Sequence, residues 1–155
     1  MNKFKQTLKI IEEGLLKPMS DAEIKQIEDE KFKERINERV NYFLPKSTKN
    51  EDGSIDVHSN VDFYNLELEN INNVQLKFNK VDGAFDCSDN RLSNLEGSPK
   101  EVNGNFHCSF NPLTSFEGCP KIVNGNFYCH DNRRYISFAK EKIKAICNVK
   151  GDIVV

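Results

Sequence analysis

The sequence predicts an α/β repeat solenoid, in which short parallel strands stack along one axis between helical ends. Three observations predict it. A motif recurs with a period of 21, as "VDGAFDCSDNRLSNLEGSPKE" from Val81, "VNGNFHCSFNPLTSFEGCPKI" from Val102 and "VNGNFYCHDNRRYISF" from Val123. Within each copy the fixed and variable residues alternate as the faces of a strand do. Both flanks carry helix signals. Ungapped self-similarity at such a period marks units that bury their apolar faces only against their neighbours.

The flanks come first in chain order. Phe4, Leu8, Ile11 and Leu15 fall on one face of a first helix predicted over Lys3–Leu16. "MSDAEI" then starts a second helix. Ser20 is its N-cap, Glu23 its reciprocal partner, and Met19 and Ile24 its hydrophobic staple. That helix is predicted to reach about Tyr42, with Ile36, Val40 and Phe43 on one stripe joined more loosely by Ile24 and Phe32, and Pro45 stops it. Residues 1–45 therefore form an N-terminal helical hairpin, either a cap over the first repeat or a binding arm. "KSTKNEDGS", residues 46–54, is the expected linker.

Residues 55–138 are the predicted repeat array. A degenerate copy starts at Val57, with Val61 in the place of Phe85, Phe63 of Cys87, Leu68 of Leu92 and Ile71 of Leu95. Its offset of 24 adds three residues to the period, and Leu66 stands near the asparagine place. In the regular copies Phe85, Phe106 and Phe127 share a position. So do Cys87, Cys108 and Cys129, and so do Asn90, Asn111 and Asn132. Strand alternation puts Phe and Cys on one face, predicted inward, because parallel strands about 4.8 Å apart leave room for a column of small apolar thiols. The asparagine amide both donates and accepts, so it suits the bend where the chain leaves the strand. Gly97 with Pro99, and Gly118 with Pro120, mark a recurring turn. The string F-x-C-x-x-N-x-L has the spacing of the leucine-rich repeat, L-x-L-x-x-N-x-L. After Asn132 the motif decays. Residues 139–155 are predicted as a C-terminal capping helix and tail. Ser137 is its candidate N-cap, Ala139, Ile143, Ile146 and Cys147 lie on one face, and "DIVV" is a last short strand or a tail.

Composition narrows the function. Charged residues make up 30% and apolar residues 37%, the profile of a water-soluble domain. The net charge of −2 divides into a mildly basic first segment, with 11 Lys+Arg against 9 Asp+Glu over residues 1–50, and a mildly acidic remainder. Neither offers the basic face that nucleic acid rewards. No apolar run reaches the length of a membrane span or a signal peptide. A reducing cytoplasm is the expected compartment for the five cysteines.

Three chemistries are weighed and set aside. His107 adjoins Cys108, and Cys129 adjoins His130, but adjacent strand residues face opposite ways, so these pairs cannot converge on zinc or form a nucleophilic dyad. Asp86, His107 and Ser109 share an outward region and make a triad on paper, but no oxyanion hole or pocket is signalled. The glycines at 83, 104 and 125 recur with the period, so they are turn residues and not a phosphate loop. No catalytic residue, metal or cofactor is predicted. What remains is an outward surface of Asp62, Tyr64, Asp86, Ser88, His107, Ser109, Tyr128 and His130. The candidate partner-binding residues are Asp86, Asp89, His107, Phe110, Tyr128, His130 and Asp131. Phe110 stands where the neighbouring copies carry Asp, and it is either an interface anchor or folded onto Pro112. The acidic rim favours a basic partner surface.

"GSIDV", followed by "LKFNKVDGAFDCSDNRLSNLEGSPKEVNGNFHCS", resembles the leucine-rich-repeat-like proteins carried by large tailed bacteriophages, whose cores read F-x-C-S-x-N-x-L-x-x-L-E-G-x-P-x-x-V. The resemblance covers roughly residues 53–138. It implies a small phage-made solenoid without enzymatic activity that binds and blocks a host protein, such as a defence toxin or nuclease, in the host cytoplasm. The alternative is a structural or assembly protein of the phage particle.

Overall fold

The computed structural model describes residues 20–132 and 139–155. The chain divides into two compact units, residues 1–34 and 35–155. The predicted helix over Lys3–Leu16, the staple residue Met19 and the cap Ser137 lie outside the described residues.

In the first unit, residues 20–34 open the helix α1 (Asp21–Phe43). Its N-terminus is the predicted reciprocal cap. The Ser20 backbone N–H and hydroxyl both donate to Glu23, at 2.7 and 2.8 Å, and the Glu23 N–H returns to Ser20 Oγ at 3.4 Å. These bonds hold the Glu23 carboxyl below the ordinary range.

The second unit is an α/β fold with two mostly parallel sheets, the last turns of α1 at one end, and a C-terminal helix α2 (Ala139–Ile146). The first sheet joins β1 (Ser47–Lys49), β2 (Ile55–Val57), β4 (Phe78–Val81), β6 (Glu101–Val102), β8 (Ile122–Val123) and β10 (Asn148–Val149), in that order. The second joins β3 (Val61–Asp62), β5 (Phe85–Asp86), β7 (Phe106–His107), β9 (Phe127–Tyr128) and β11 (Ile153–Val154). Among the described residues, only β1 runs antiparallel to its neighbour.

The 21-residue period is the strand register itself. Phe85 pairs with Phe106 and Phe106 with Phe127 in the second sheet, while Val81, Val102 and Val123 pair in the first. The offset of 24 places Val61 beside Phe85, as expected. Identical residues at one height fill the core in columns. The Phe85 and Phe106 rings stack with centroids 5.7 Å apart, and Phe106 and Phe127 lie 5.0 Å apart. Cys87, Cys108 and Cys129 are buried beside them. At the α1 end Phe43 is buried, and its ring meets Phe63 and Phe78 at 5.8 and 6.0 Å.

Each asparagine ties two copies together. Asn111 Nδ2 donates to the carbonyls of Cys87, Cys108 and Ser109, and its Oδ1 accepts from the Leu92 N–H. Asn90 does the same one copy earlier, and its Oδ1 takes the N–H groups of Leu66 and Leu68. The degenerate copy, lacking its own asparagine, thus has its bend satisfied by the next one.

The structure differs from expectation at both ends of the array. The predicted linker 46–54 is half of a β-hairpin: Ser47–Lys49 pairs with Ile55–Val57 around a turn that uses Gly53 at φ 78°. At the other end Asn148–Val149 adds an unexpected strand to the first sheet, while Ile153–Val154, within "DIVV", is the last short strand and not the tail. Ile143 in α2 and Cys147 just after it are buried as predicted, but Ile146 is exposed.

Candidate functional site

The outward side of the second sheet carries three parallel rows of side chains, each set by the register. Asp62, Asp86, His107 and Tyr128 form the first. Two residues along, Tyr64, Ser88, Ser109 and His130 form the second. One further, Asn65, Asp89, Phe110 and Asp131 form the third, all left-handed with φ between 53° and 56°. The pairing extends through these rows: Asn65 N–H donates to Ser88 O, Asp89 N–H to Ser109 O and Phe110 N–H to His130 O.

The second row makes a groove of about 400 Å³. Two consecutive copies carry serine where the copies on either side carry Tyr64 and His130. Strands spaced about 4.8 Å apart set those two rings roughly 14 Å from each other. Ser88 and Ser109 are its floor. Asp86 and His107 line one side, Asp89 and Phe110 the other. The sequence carried no sign of a pocket, and it placed both serines outward. They are buried, because short side chains between tall neighbours are shielded by them.

Asp86, Asp89, His107, Phe110 and His130 thus come together around one depression. Tyr128 supports it from beside His107: the two rings stack 4.5 Å apart and 9° from parallel. Asp131 lies next to it and pairs with His130 Nδ1 at 2.8 Å. Phe110 is 52% exposed and meets the His130 ring edge-on at 5.1 Å. Tyr64, Ser88 and Ser109 complete the groove without having been among the candidate partner contacts. The signal for them is the Tyr–Ser–Ser–His run at one repeat position, legible only once the copies are laid in register.

The two serines differ in one respect. The Ser88 hydroxyl donates to Asp86 Oδ1, two residues back, and its N–H donates to the same oxygen at 2.9 Å. In the next copy the residue two back is His107, and the Ser109 hydroxyl, in a residue only 4% exposed, has no hydrogen-bond partner among the described residues. Asp86, His107 and Ser109 therefore form no hydrogen-bonded relay. Asp86 spends one carboxylate oxygen on Ser88 and keeps the other without a partner among the described residues.

Thiol chemistry is suppressed in the column behind the sheet. Burial pushes the Cys87 and Cys108 thiols far up, and Cys129 up to about 11. Among the described residues no group of three or more His, Cys, Asp and Glu side chains is placed to hold a metal ion, and no helix is long and apolar enough to cross a membrane.

Searches against protein-family models, curated proteins and solved structures find no match for this chain.

Proposed function

We propose that this chain is a non-catalytic protein-binding protein, built as a leucine-rich-repeat-like solenoid with helical ends, that works by occluding a surface of its partner. The phage resemblance in the repeat motif makes the partner a host protein, of the defence-toxin or nuclease class, met in the host cytoplasm. The observation that carries the reading is Phe110. Its neighbours in the row, Asn65, Asp89 and Asp131, are residue types that tolerate left-handed backbone, while a phenylalanine there is strained and exposes a large ring. Strain and apolar exposure kept together at the rim of a groove point to a contact made with something else. Occlusion needs only a rigid face of roughly 800 Å² per partner and no reacting group.

The test is affinity capture from bacterial lysate with three baits: the unaltered chain, Phe110→Asp, and Lys121→Ala as a control. A stoichiometric partner retained by the control and lost by Phe110→Asp is expected. Equal capture by all three overturns the proposal.

An assembly role through the sheet ends is the second reading. It is supported by β10 and β11 standing last in their sheets, with Val155 57% exposed. Concentration-dependent self-association in light scattering, abolished by Val155→Asp, would favour it over occlusion.

A further inference from the structure

The groove between Tyr64 and His130 has a chemistry more specific than a general acidic patch. Its floor is made by Ser88 and Ser109, short side chains, the Ser109 hydroxyl being sealed from solvent and without a hydrogen-bond partner among the described residues. One side offers the Asp86 carboxylate oxygen that Ser88 leaves over, and the rim carries the exposed Asp89. The remaining walls are flat rings: Tyr64, Phe110, His130 with its Nδ1 on Asp131, and His107, the last held in plane by its stack on Tyr128.

A ligand that satisfies all of these must be flat, cationic, rich in hydrogen-bond donors and without acceptors. A carboxylate or phosphate would face Asp86 and Asp89. A neutral apolar side chain would cover the Asp86 oxygen without giving it a hydrogen bond. An ammonium meets the charge but is a compact point with no face to lay on a ring. A guanidinium meets every requirement: in-plane donors for the carboxylates, and a weakly hydrated face for the aromatics. The volume of about 400 Å³ suits one long side chain and not a folded element.

We propose that this groove is a receptor for a single arginine side chain presented by an exposed basic segment of the partner. Its guanidinium lies over Ser109, donates to Asp86 and Asp89, and rests against Phe110. The proposal builds on the reading of this face as the partner-binding surface. It adds to it the residue type that the partner must offer.

The experiment is an NMR titration of the full chain with three blocked pentapeptides that differ only at the centre: Gly-Gly-Arg-Gly-Gly, its lysine form and its citrulline form. Citrulline keeps the shape and removes the charge. The arginine peptide is expected to shift the amides of Ser88, Asp89, Ser109 and Phe110 saturably. The lysine form should bind about tenfold more weakly and citrulline should not bind, as loss of one bidentate charge-assisted contact predicts. The double variant Asp86→Asn/Asp89→Asn should lose the response while its remaining spectrum stays that of the folded chain. Equal shifts with citrulline, shifts centred elsewhere, or no saturation overturn the proposal. The two readings fail separately. A partner lost by Phe110→Asp while the arginine peptide does nothing leaves a protein-binding face without an arginine receptor. A saturable arginine response with no partner sensitive to Phe110 leaves the receptor and removes the occlusion reading.

Discussion

The His107 and Tyr128 rings lie 4.5 Å apart and 9° from parallel, on neighbouring strands at one height of the second sheet. The stack fixes the rotamer of the ring that walls the groove, using a residue outside the groove itself. Tyr128→Ala should therefore weaken partner capture through His107. The stability change should stay within about 1–3 kcal/mol, the range of one aromatic pair plus the hydrogen bond that Asn126 Nδ2 donates to the Tyr128 hydroxyl at 2.9 Å. Urea denaturation and capture on the same variant check the two parts. A loss of stability well beyond that range would make Tyr128 a structural residue and not a support for the site.

Phe110 gives the opposite combination. Phe110→Asn puts into the left-handed position the residue that Asn65 already is at φ 53°. The variant should be more stable by roughly 0.5–1 kcal/mol, since the strained backbone is relieved, while partner binding falls. A urea midpoint that drops on this substitution would show the ring to be packing and not recognition.

Asn111→Ala removes one buried amide that serves four backbone groups across two copies. Orphaned buried groups of this kind predict a loss of about 2–4 kcal/mol, read as a fall in urea midpoint. Asn111→Asp should not rescue it, because a carboxylate cannot donate to three carbonyls.

Gly104→Ala tests close approach. A Cβ there would meet Ala84 N, Gly83 C and Gly83 O, each at 2.7 Å, so the strands on either side must part. Overpacking against backbone predicts a loss of about 1–3 kcal/mol. Thermal denaturation measures it, and a neutral result would mean that the copies slide past each other more freely than the register implies.

Acid should weaken the second unit. The Asp52 carboxyl is held well below the usual carboxylate range, chiefly by the Ser54 hydroxyl and next by the Lys77 ammonium, and Asp82 is lowered chiefly by its hydrogen bond with His58. Both folded values are depressed, so the unfolded chain takes up protons first. The stabilisation is present above the ordinary carboxylate value of about 4 and is lost as pH falls below it through the folded values. Urea midpoints measured from about pH 5 down to about pH 2 should fall, and fall less in Asp52→Asn/Asp82→Asn. Identical slopes would remove these two carboxylates as the cause.

How much of this was legible follows from what each signal is made of. The pairing of Phe85 with Phe106 and Phe127 was readable because the spacing of like residues is the register. The burial of Cys87, Cys108 and Cys129 followed from alternation along a strand. The hairpin strand Ser47–Lys49 was not readable: three polar residues carry no alternation, and their pairing is set by the partner Ile55–Val57. The strand Asn148–Val149 was missed, and Ile153–Val154 left open between strand and tail, for a different reason. Val149, Gly151 and Ile153 repeat the spacing of Val123, Gly125 and Phe127, but without the Phe and Cys that made the earlier copies visible. At the groove, alternation alone put Ser88 and Ser109 outward. Their burial depends on the height of Tyr64 and His130, which lie 24 and 21 positions away in sequence and adjacent in space.

The asparagine that reaches back one copy has an evolutionary consequence. Asn132 Nδ2 holds the Cys108 carbonyl as Asn111 holds that of Cys87, so this reach-back bond repeats one copy apart. Excising residues 102–122 as a block would lay Val123 on Val81 and Asn132 on Cys87 with every bond of this kind remade. A lineage can shorten or lengthen such a chain in whole steps without rebuilding its interior. The same excision would remove Ser109 and Phe110, so the architecture would outlive the recognition proposed for it, and far-ultraviolet dichroism and peptide titration of that deletion would separate the two.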